Sequence, residues 1–309
     1  MRTLTLSSFF ITGCLLWSCG EQPSSTDEAA MAEDSTTVAT PDAPVRLVEV
    51  WKLTEGLKRP ESVVYDETTD MLYVSSINGD SSVANGVGYL SKVSPDGELV
   101  NQMWITGLKG PKGLALRDGK LYVADVDELV VVDVAGNKVE QRYPAAGGIF
   151  LNDVTLDDDG NVYVSDSRAG HVYRLHEGTF DSWVDIPEPN GVHVVDGALL
   201  IAAADSTKAN PGSERYLQVI SLDDASIKPL RDLEPVGGLD ALEPDGPDGY
   251  FLTDWGAGKV MYYTQDRGPI ELMTLTQGTA DLELAPDRDM VYLPVMVAGQ
   301  LIAYRVERN

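Results

Sequence analysis

Cysteine is almost missing from this chain. Cys14 and Cys19 are its only two, so nothing beyond Cys19 can form a disulfide framework, a thiolate metal site or a thiol nucleophile. Histidine is nearly as scarce. The three are His171, His176 and His193, and no local phrase suggests a Ser–His–acid triad. Positive charge is short too. Lys and Arg total 23 against 49 Asp and Glu, a net charge of −26. Phosphate recognition needs a basic patch, so nucleic acid is excluded as a natural partner. Such a balance suits a divalent cation, or a neutral or cationic small molecule, and also serves solubility. Long apolar runs are lacking as well. The only one, Leu4 to Trp17, is too short to cross a bilayer comfortably.

That short run follows Met1-Arg2 and reads as a secretory signal peptide. It ends in Leu16-Trp17-Ser18-Cys19, which resembles a bacterial lipoprotein box with Cys19 as the acylated residue. Ile11-Thr12-Gly13-Cys14 is a rival box, but it leaves a very short apolar region. Residues 20–44 are acidic, rich in Ser, Thr, Ala and Pro, and without apolar period, the composition of a disordered tether. The expected organisation is a leader at 1–18, a tether at 19–44 and one domain at 45–309. The expected location is the bacterial cell envelope, periplasmic or surface-facing, with membrane contact only through the lipid.

What the sequence has in abundance is one phrase, repeated six times: a turn ending in a polar residue, a short apolar strand, an Asp/Gly turn and a second strand. The copies begin at Arg59, Gly110, Phe150, Glu188, Gly237 and Thr279. Their leading polar residues are Glu61, Lys112, Asn152, Asn190, Asp240 and Asp281, spaced 51, 40, 38, 50 and 41 apart. A period of roughly 40–50 residues with several short strands per unit is that of a β-propeller. The fold expected is therefore all-β, with six four-stranded blades. The last unit is one strand short, and Val45–Leu53 (VRLVEVWKL) has no partner. That strand is expected to complete the sixth blade and close the ring, removing exposed sheet edges. Insertions at 77–88 and 205–215 should lie on the rim where ligands bind. Asp125, Asp166, Asp205 and Asp254, each ending a second strand, read as loop anchors.

In a propeller the first strand of each blade lines the channel, so the six polar residues should converge. Glu61, Asp240 and Asp281 bring carboxylates, and Asn152 and Asn190 bring carbonyl oxygens. Hard cations want such an all-oxygen shell. Ca²⁺ fits best, with Mg²⁺, Mn²⁺ or Zn²⁺ as alternatives. A metal there could polarise an ester or lactone carbonyl, with Asp240 or Asp281 as base. Lys112 could instead pair with Glu61 or Asp281 and replace the metal, or polarise the carbonyl itself. His193, three residues after Asn190, reads as a packed or rim residue with a channel or metal role as the alternative, and Trp255 as a rim residue able to touch substrate.

Pro60-Glu61, Asn152-Asp153, Pro189-Asn190-Gly191 and Asp240 together resemble the regucalcin/gluconolactonase propellers, over about residues 45–309. The resemblance implies six blades and hydrolysis of a small-molecule lactone or ester by a monomer. It implies Glu61, Asn190 and Asp240 as ligands of one divalent cation, Asp240 also as base, and Asn152 as a substrate contact. Pro111-Lys112-Gly113-Leu114 also looks like a phrase of the NHL repeat, which implies the alternative of a non-catalytic propeller binding a small ligand or protein.

Overall fold

The computed structural model describes residues 43–205, 214–231, 234–247 and 249–309. The expected leader, Cys14, Cys19 and the tether up to residue 42 lie outside them, as does most of the second insertion. The tether's last two residues belong to the domain: Ala43 is buried in the core, and Pro44 O accepts from Asn309 N. Strand β1 (Val45–Leu53) precedes the blades. Blade one is β2 (Pro60–Asp66), β3 (Met71–Ser76), β4 (Gly88–Val93) and β5 (Leu99–Leu108). Blade two is β6 (Pro111–Arg117), β7 (Lys120–Asp125), β8 (Glu128–Asp133) and β9 (Lys138–Pro144). Blade three is β10 (Leu151–Leu156), β11 (Val162–Asp166), β12 (His171–His176) and β13 (Thr179–Asp185). Blade four is β14 (Val192–Val195), β15 (Ala198–Ala203), β16 (Tyr216–Ser221) and β17 (Ile227–Pro229). Blade five is β18 (Leu239–Asp245), β19 (Gly249–Asp254), β20 (Lys259–Thr264) and β21 (Gly268–Thr274). Blade six is β22 (Glu283–Ala285), β23 (Met290–Val295) and β24 (Gln300–Arg308). A 3-10 turn at Pro286–Arg288 is the only helical element among the described residues.

Each sheet is an antiparallel four-stranded meander, and the sixth runs β1-β24-β23-β22. The N-terminal strand closes the ring as the sequence suggested. Val45 pairs with Arg308 and Leu53 with Leu301. The inner strands are short β-branched runs because both faces are covered by neighbouring blades. The core is accordingly divided into layers between adjacent sheets. Leu90 and Leu108 of blade one meet Leu114 and Val132 of blade two, and Tyr163 and Val172 of blade three meet Leu199 and Ile201 of blade four. Phe251 of blade five packs with Leu293 and Val306 of blade six.

Tight hairpins set the register. Between Arg117 and Lys120, which pair directly, Asp118 and Gly119 sit at φ 50° and 71°. Two successive left-handed residues make the two-residue turn whose twist matches that of the flanking strands. Asp and Gly tolerate that backbone best.

Candidate active site

The inner strand of most blades carries the same irregularity. Pairing slips between Pro60 and Val63, between Pro111 and Leu114, between Leu151 and Val154, and between Leu239 and Leu242. Each slip leaves two residues between paired ones, a bulge that re-aims side chains. Their first members, Glu61, Lys112, Asn152 and Asp240, all line one cavity of about 870 Å³ at one end of the channel. Asn190, whose N–H donates to Ala202 O at 2.8 Å just before β14, lines it too.

Their second members join neighbouring blades. Ser62 Oγ donates to Asp281 Oδ2 at 2.7 Å and accepts from Leu114 N at 3.2 Å. Asp153 Oδ2 accepts from Val192 N and its Oδ1 from Val154 N, both at 2.7 Å.

Blade six corrects one expectation. Its bridge Thr279↔Val295 makes Ala280 the counterpart of Glu61, and Asp281 the counterpart of Ser62 and Asp153. Aligning the phrase on its acid put Asp281 one residue out of register, and one residue reverses which side a strand residue faces. Asp281 therefore lines a second depression of about 370 Å³, together with Asp153, Glu243, Glu283 and Arg117. His193 lies in that depression as well, its Nδ1 3.1 Å from Glu243 Oε2. Burial alone would lower its pKa, but the Glu243 carboxylate outweighs this and raises it. Neither Asp281 nor His193 belongs to the cavity of Glu61. His171 and His176 sit on β12, bonded to Asp185 and Asn161. None of the three histidines lines the larger cavity.

Lys112 departs from expectation in another way. It is buried, and its Nζ donates to Gly110 O at 3.2 Å and Leu151 O at 3.1 Å. It also sits 4.3 Å from the centre of the Phe150 ring. It makes no ion pair with Glu61 or Asp281. Burial lowers its pKa to about 8, while Glu61 opposes the fall from a distance. An ammonium has three donors, so one N–H remains beyond the two carbonyl bonds.

The floor is a chain of side-chain hydrogen bonds. Ser167 Oγ donates to Pro189 O at 2.6 Å. Asn152 Nδ2 donates to Ser167 Oγ at 3.0 Å and Asn190 Oδ1 at 2.7 Å. Asn190 Nδ2 donates to Asp240 Oδ1 at 2.8 Å and Leu239 O at 3.1 Å. This series of bonds stops at Asp240, whose Oδ2 is unpartnered, and Glu61 Oε2, outside the series, is unpartnered too. Both oxygens are buried, a costly condition for a charged acceptor without a partner. Burial, then Asp240, raises the Glu61 pKa well above the carboxylate range. Burial raises Asp240 to about 6, against the lowering effects of Asn190 and Arg215. Burial likewise holds Asp153 up at about 7.

Gly191 keeps this floor compact, because a Cβ there would stand 2.3 Å from Asp240 O. Trp255 lines the same cavity, with Ser81 from the first insertion. The repeated Asp residues anchor its rim. Asp125 accepts from Gly110 N at 2.6 Å and Lys109 N at 2.9 Å. Asp166 accepts from Ile149 N at 2.8 Å and Ala169 N at 2.8 Å, and Asp254 from Ala257 N at 2.9 Å. Sequence reading missed three rim arginines, Arg59, Arg168 and Arg215. Arg59 opens the first copy of the phrase, Arg168 follows a second strand and Arg215 precedes a third, so no position shared by the copies marks them.

The molecule is thus a closed six-bladed propeller with a polar, acid-floored central cavity. Solved structures share this fold. A gluconolactonase from Xanthomonas campestris matches with a TM-score of 0.64 at 13% identity, over 86% of this chain and 95% of that one. A provisionally named gluconolactonase matches with a TM-score of 0.64 at 17% identity, over 89% and 98%. Virginiamycin B lyase from Staphylococcus aureus, in a histidine-to-alanine form described as catalytically inactive, matches with a TM-score of 0.57 at 14% identity, over 84% and 99%. At these identities the likeness is one of fold. No family model matches the chain, and no curated protein sequence does.

Proposed function

We propose that this cavity hydrolyses a lactone or related ester, with one divalent cation held at its floor. The observation that carries the reading is the pair of buried, unpartnered oxygens, Glu61 Oε2 and Asp240 Oδ2, lining one cavity. Two such groups with raised pKa values suit a hard cation, for which carboxylate and amide oxygens are the preferred donors. Among the described residues no group of three or more His, Cys, Asp or Glu side chains is arranged to hold a metal, so the third donor would be the amide of Asn190. Its Oδ1 accepts from Asn152, and a carbonyl has a second lone pair to offer. Ca²⁺ suits this donor set best. When bound, the cation would neutralise the floor and polarise the scissile carbonyl.

The chain's own groups supply the rest. Asp240 takes a proton from water as the water oxygen bonds to the carbonyl carbon. The bond from that carbon to the alkoxy oxygen then breaks, and the departing oxygen recovers the proton. Water and lactone become a hydroxy acid, and Asp240 is regenerated. The remaining N–H of Lys112 is available to the carbonyl oxygen, and Asn152 Oδ1 to a substrate hydroxyl. A lyase-like reading has less support, since no histidine lines the cavity. The non-catalytic alternative keeps its NHL-like phrase at Pro111-Lys112-Gly113-Leu114, but its Lys112 ion pair has less support, since Lys112 donates to backbone carbonyls.

The test is calorimetric titration of Ca²⁺, Mg²⁺, Mn²⁺ and Zn²⁺ into chelator-treated protein, alongside a panel of lactones and esters. One-to-one binding lost in Glu61→Gln, with cation-dependent hydrolysis, is the expected result. No binding and no hydrolysis would overturn the reading.

We further propose that Cys19 carries a lipid that holds the chain at the envelope as a monomer. Labelling with tagged palmitate in a bacterial host should survive Cys14→Ser and disappear in Cys19→Ser. The reverse pattern would assign the lipid to Cys14.

A further inference from the structure

The overall acidity of the chain argues for a neutral or cationic ligand, yet the mouth of the larger cavity is lined by three arginines. Arg59 precedes β2, Arg168 lies in the turn between β11 and β12, and Arg215 precedes β16. Among the described residues none of the three is in an ion pair. Arg59 reaches only Met296 Sδ, at 3.6 Å. The Arg168 guanidinium lies 4.2 Å from the centre of the Phe150 ring, the ring that also carries Lys112. Arg215 donates through Nε to Glu188 O at 3.2 Å, leaving its two terminal nitrogens available.

The acids near this mouth are differently placed. Asp254 is engaged by Gly238 N at 3.1 Å and Ala257 N at 2.9 Å, and Asp80 by Ser82 N at 2.9 Å and Ser82 Oγ at 2.7 Å. Glu188 adds one more carboxylate to the lining. Guanidinium donors therefore exceed the acceptors free to take them. A guanidinium presents five N–H groups in a planar fork that matches carboxylate and phosphate. The three arginines line one cavity, and two of them act on one acid. Arg59 and Arg168 both lower the Asp80 pKa, and Arg215 lowers that of Asp240 on the floor. The opposite depression has the reverse character, with Asp153, Glu243, Asp281 and Glu283 against Arg117 and His193. The channel is polarised, and an anion is drawn to the arginine end.

We propose that Arg59, Arg168 and Arg215 form a subsite for an anionic group, a carboxylate or phosphate, carried by the substrate away from its reacting carbonyl. This rests on the hydrolase reading for the word substrate, but the subsite itself does not. The substrate class becomes an acidic lactone or ester. The three arginines act as specificity residues at the mouth while the floor does the chemistry.

The test uses the full-length protein and four probes, two anions and two lactones. Calorimetric titration with glutarate and with inorganic phosphate reads the subsite directly. Saturable one-to-one binding is expected, weakened at least about tenfold in the triple variant R59A/R168A/R215A, the scale of losing charge-assisted hydrogen bonds. Tighter binding of phosphate than of glutarate would identify a phosphate-bearing substrate, and the reverse order a carboxylate-bearing one. Kinetics then compares γ-butyrolactone bearing a carboxylate at its γ carbon with γ-valerolactone, which has a methyl there. The triple variant should raise KM about tenfold or more for the first and not for the second, while any change in kcat through Asp240, whose pKa Arg215 lowers, should fall on both lactones alike. Anion binding equal in wild type and triple variant, or absent from both, would overturn the inference. Arginine-dependent anion binding with no hydrolysis of either lactone would uphold it and remove only the hydrolase reading.

Discussion

Asp240→Asn will reduce lactone or ester hydrolysis by about 10²- to 10⁴-fold, the usual contribution of a positioned general base, while the propeller stays folded. The substitution keeps the shape of the side chain. It keeps the oxygen that accepts from Asn190 Nδ2 at 2.8 Å, and removes the charge whose other oxygen is buried without a partner. The same variant should also change how stability depends on pH. Burial raises Asp240 from 3.8 to about 6. A raised carboxyl stabilises the fold fully below its unfolded pKa, and that contribution is lost as pH climbs through the folded value. Two units correspond to about 3 kcal/mol. Metal-free wild-type protein should therefore melt lower at pH 8 than at pH 4, and Asp240→Asn should remove its share of this dependence, leaving that of Glu61 and Asp153. Melting curves at the two pH values, with and without Ca²⁺, read it. A cation should restore wild-type stability at pH 8 and do little for the variant. Undiminished hydrolysis in the variant would remove Asp240 from the mechanism.

Deleting residues 43–53 should abolish cooperative folding. Val45 and Leu47 of β1 are 3% and 4% exposed, and such burial stabilises by about 2 kcal/mol per side chain. Trp51 adds a link between blades, its Nε1 donating to Pro95 O at 2.7 Å and its ring lying 6.0 Å from that of Tyr292. Without β1 the whole of β24 becomes an open edge, which invites association with other chains. Against a total stability of about 5–15 kcal/mol, these losses are decisive. Circular dichroism melting and the soluble fraction on expression would show it. A truncated chain with a sharp transition near that of the whole would mean that five complete blades and a three-stranded sixth suffice.

The architecture was legible in the sequence because a propeller blade is written in one stretch of chain. Each phrase joins two strands through an Asp/Gly turn, and the strand left over at Val45–Leu53 matches the one missing at the end. The site was legible in four of its polar positions where a bulge follows the first paired residue, and in Asn190. It failed at Asp281 because the phrase was aligned on an acid, whereas the fold aligns on the bulge, and the bulge reads Ala280-Asp281. Lys112 was placed correctly in the channel but given the wrong partners, since backbone carbonyls leave no mark in a sequence. The arginines of the mouth come from three unlike loops, so no repetition exposes them.

The joined ends carry a kinetic consequence. Val45 faces Arg308, and Asn309 donates through its backbone N–H to Pro44 O at 3.0 Å and through Nδ2 to Ala43 O at 2.7 Å. These contacts span almost the entire described chain, and loops that long close slowly. Blades can form one after another as the chain is made, but the ring stays open until β24 (Gln300–Arg308) has been synthesised. Until β24 emerges, Val45–Leu53 waits without the strand it pairs with, the state in which this chain is most open to pairing with another copy.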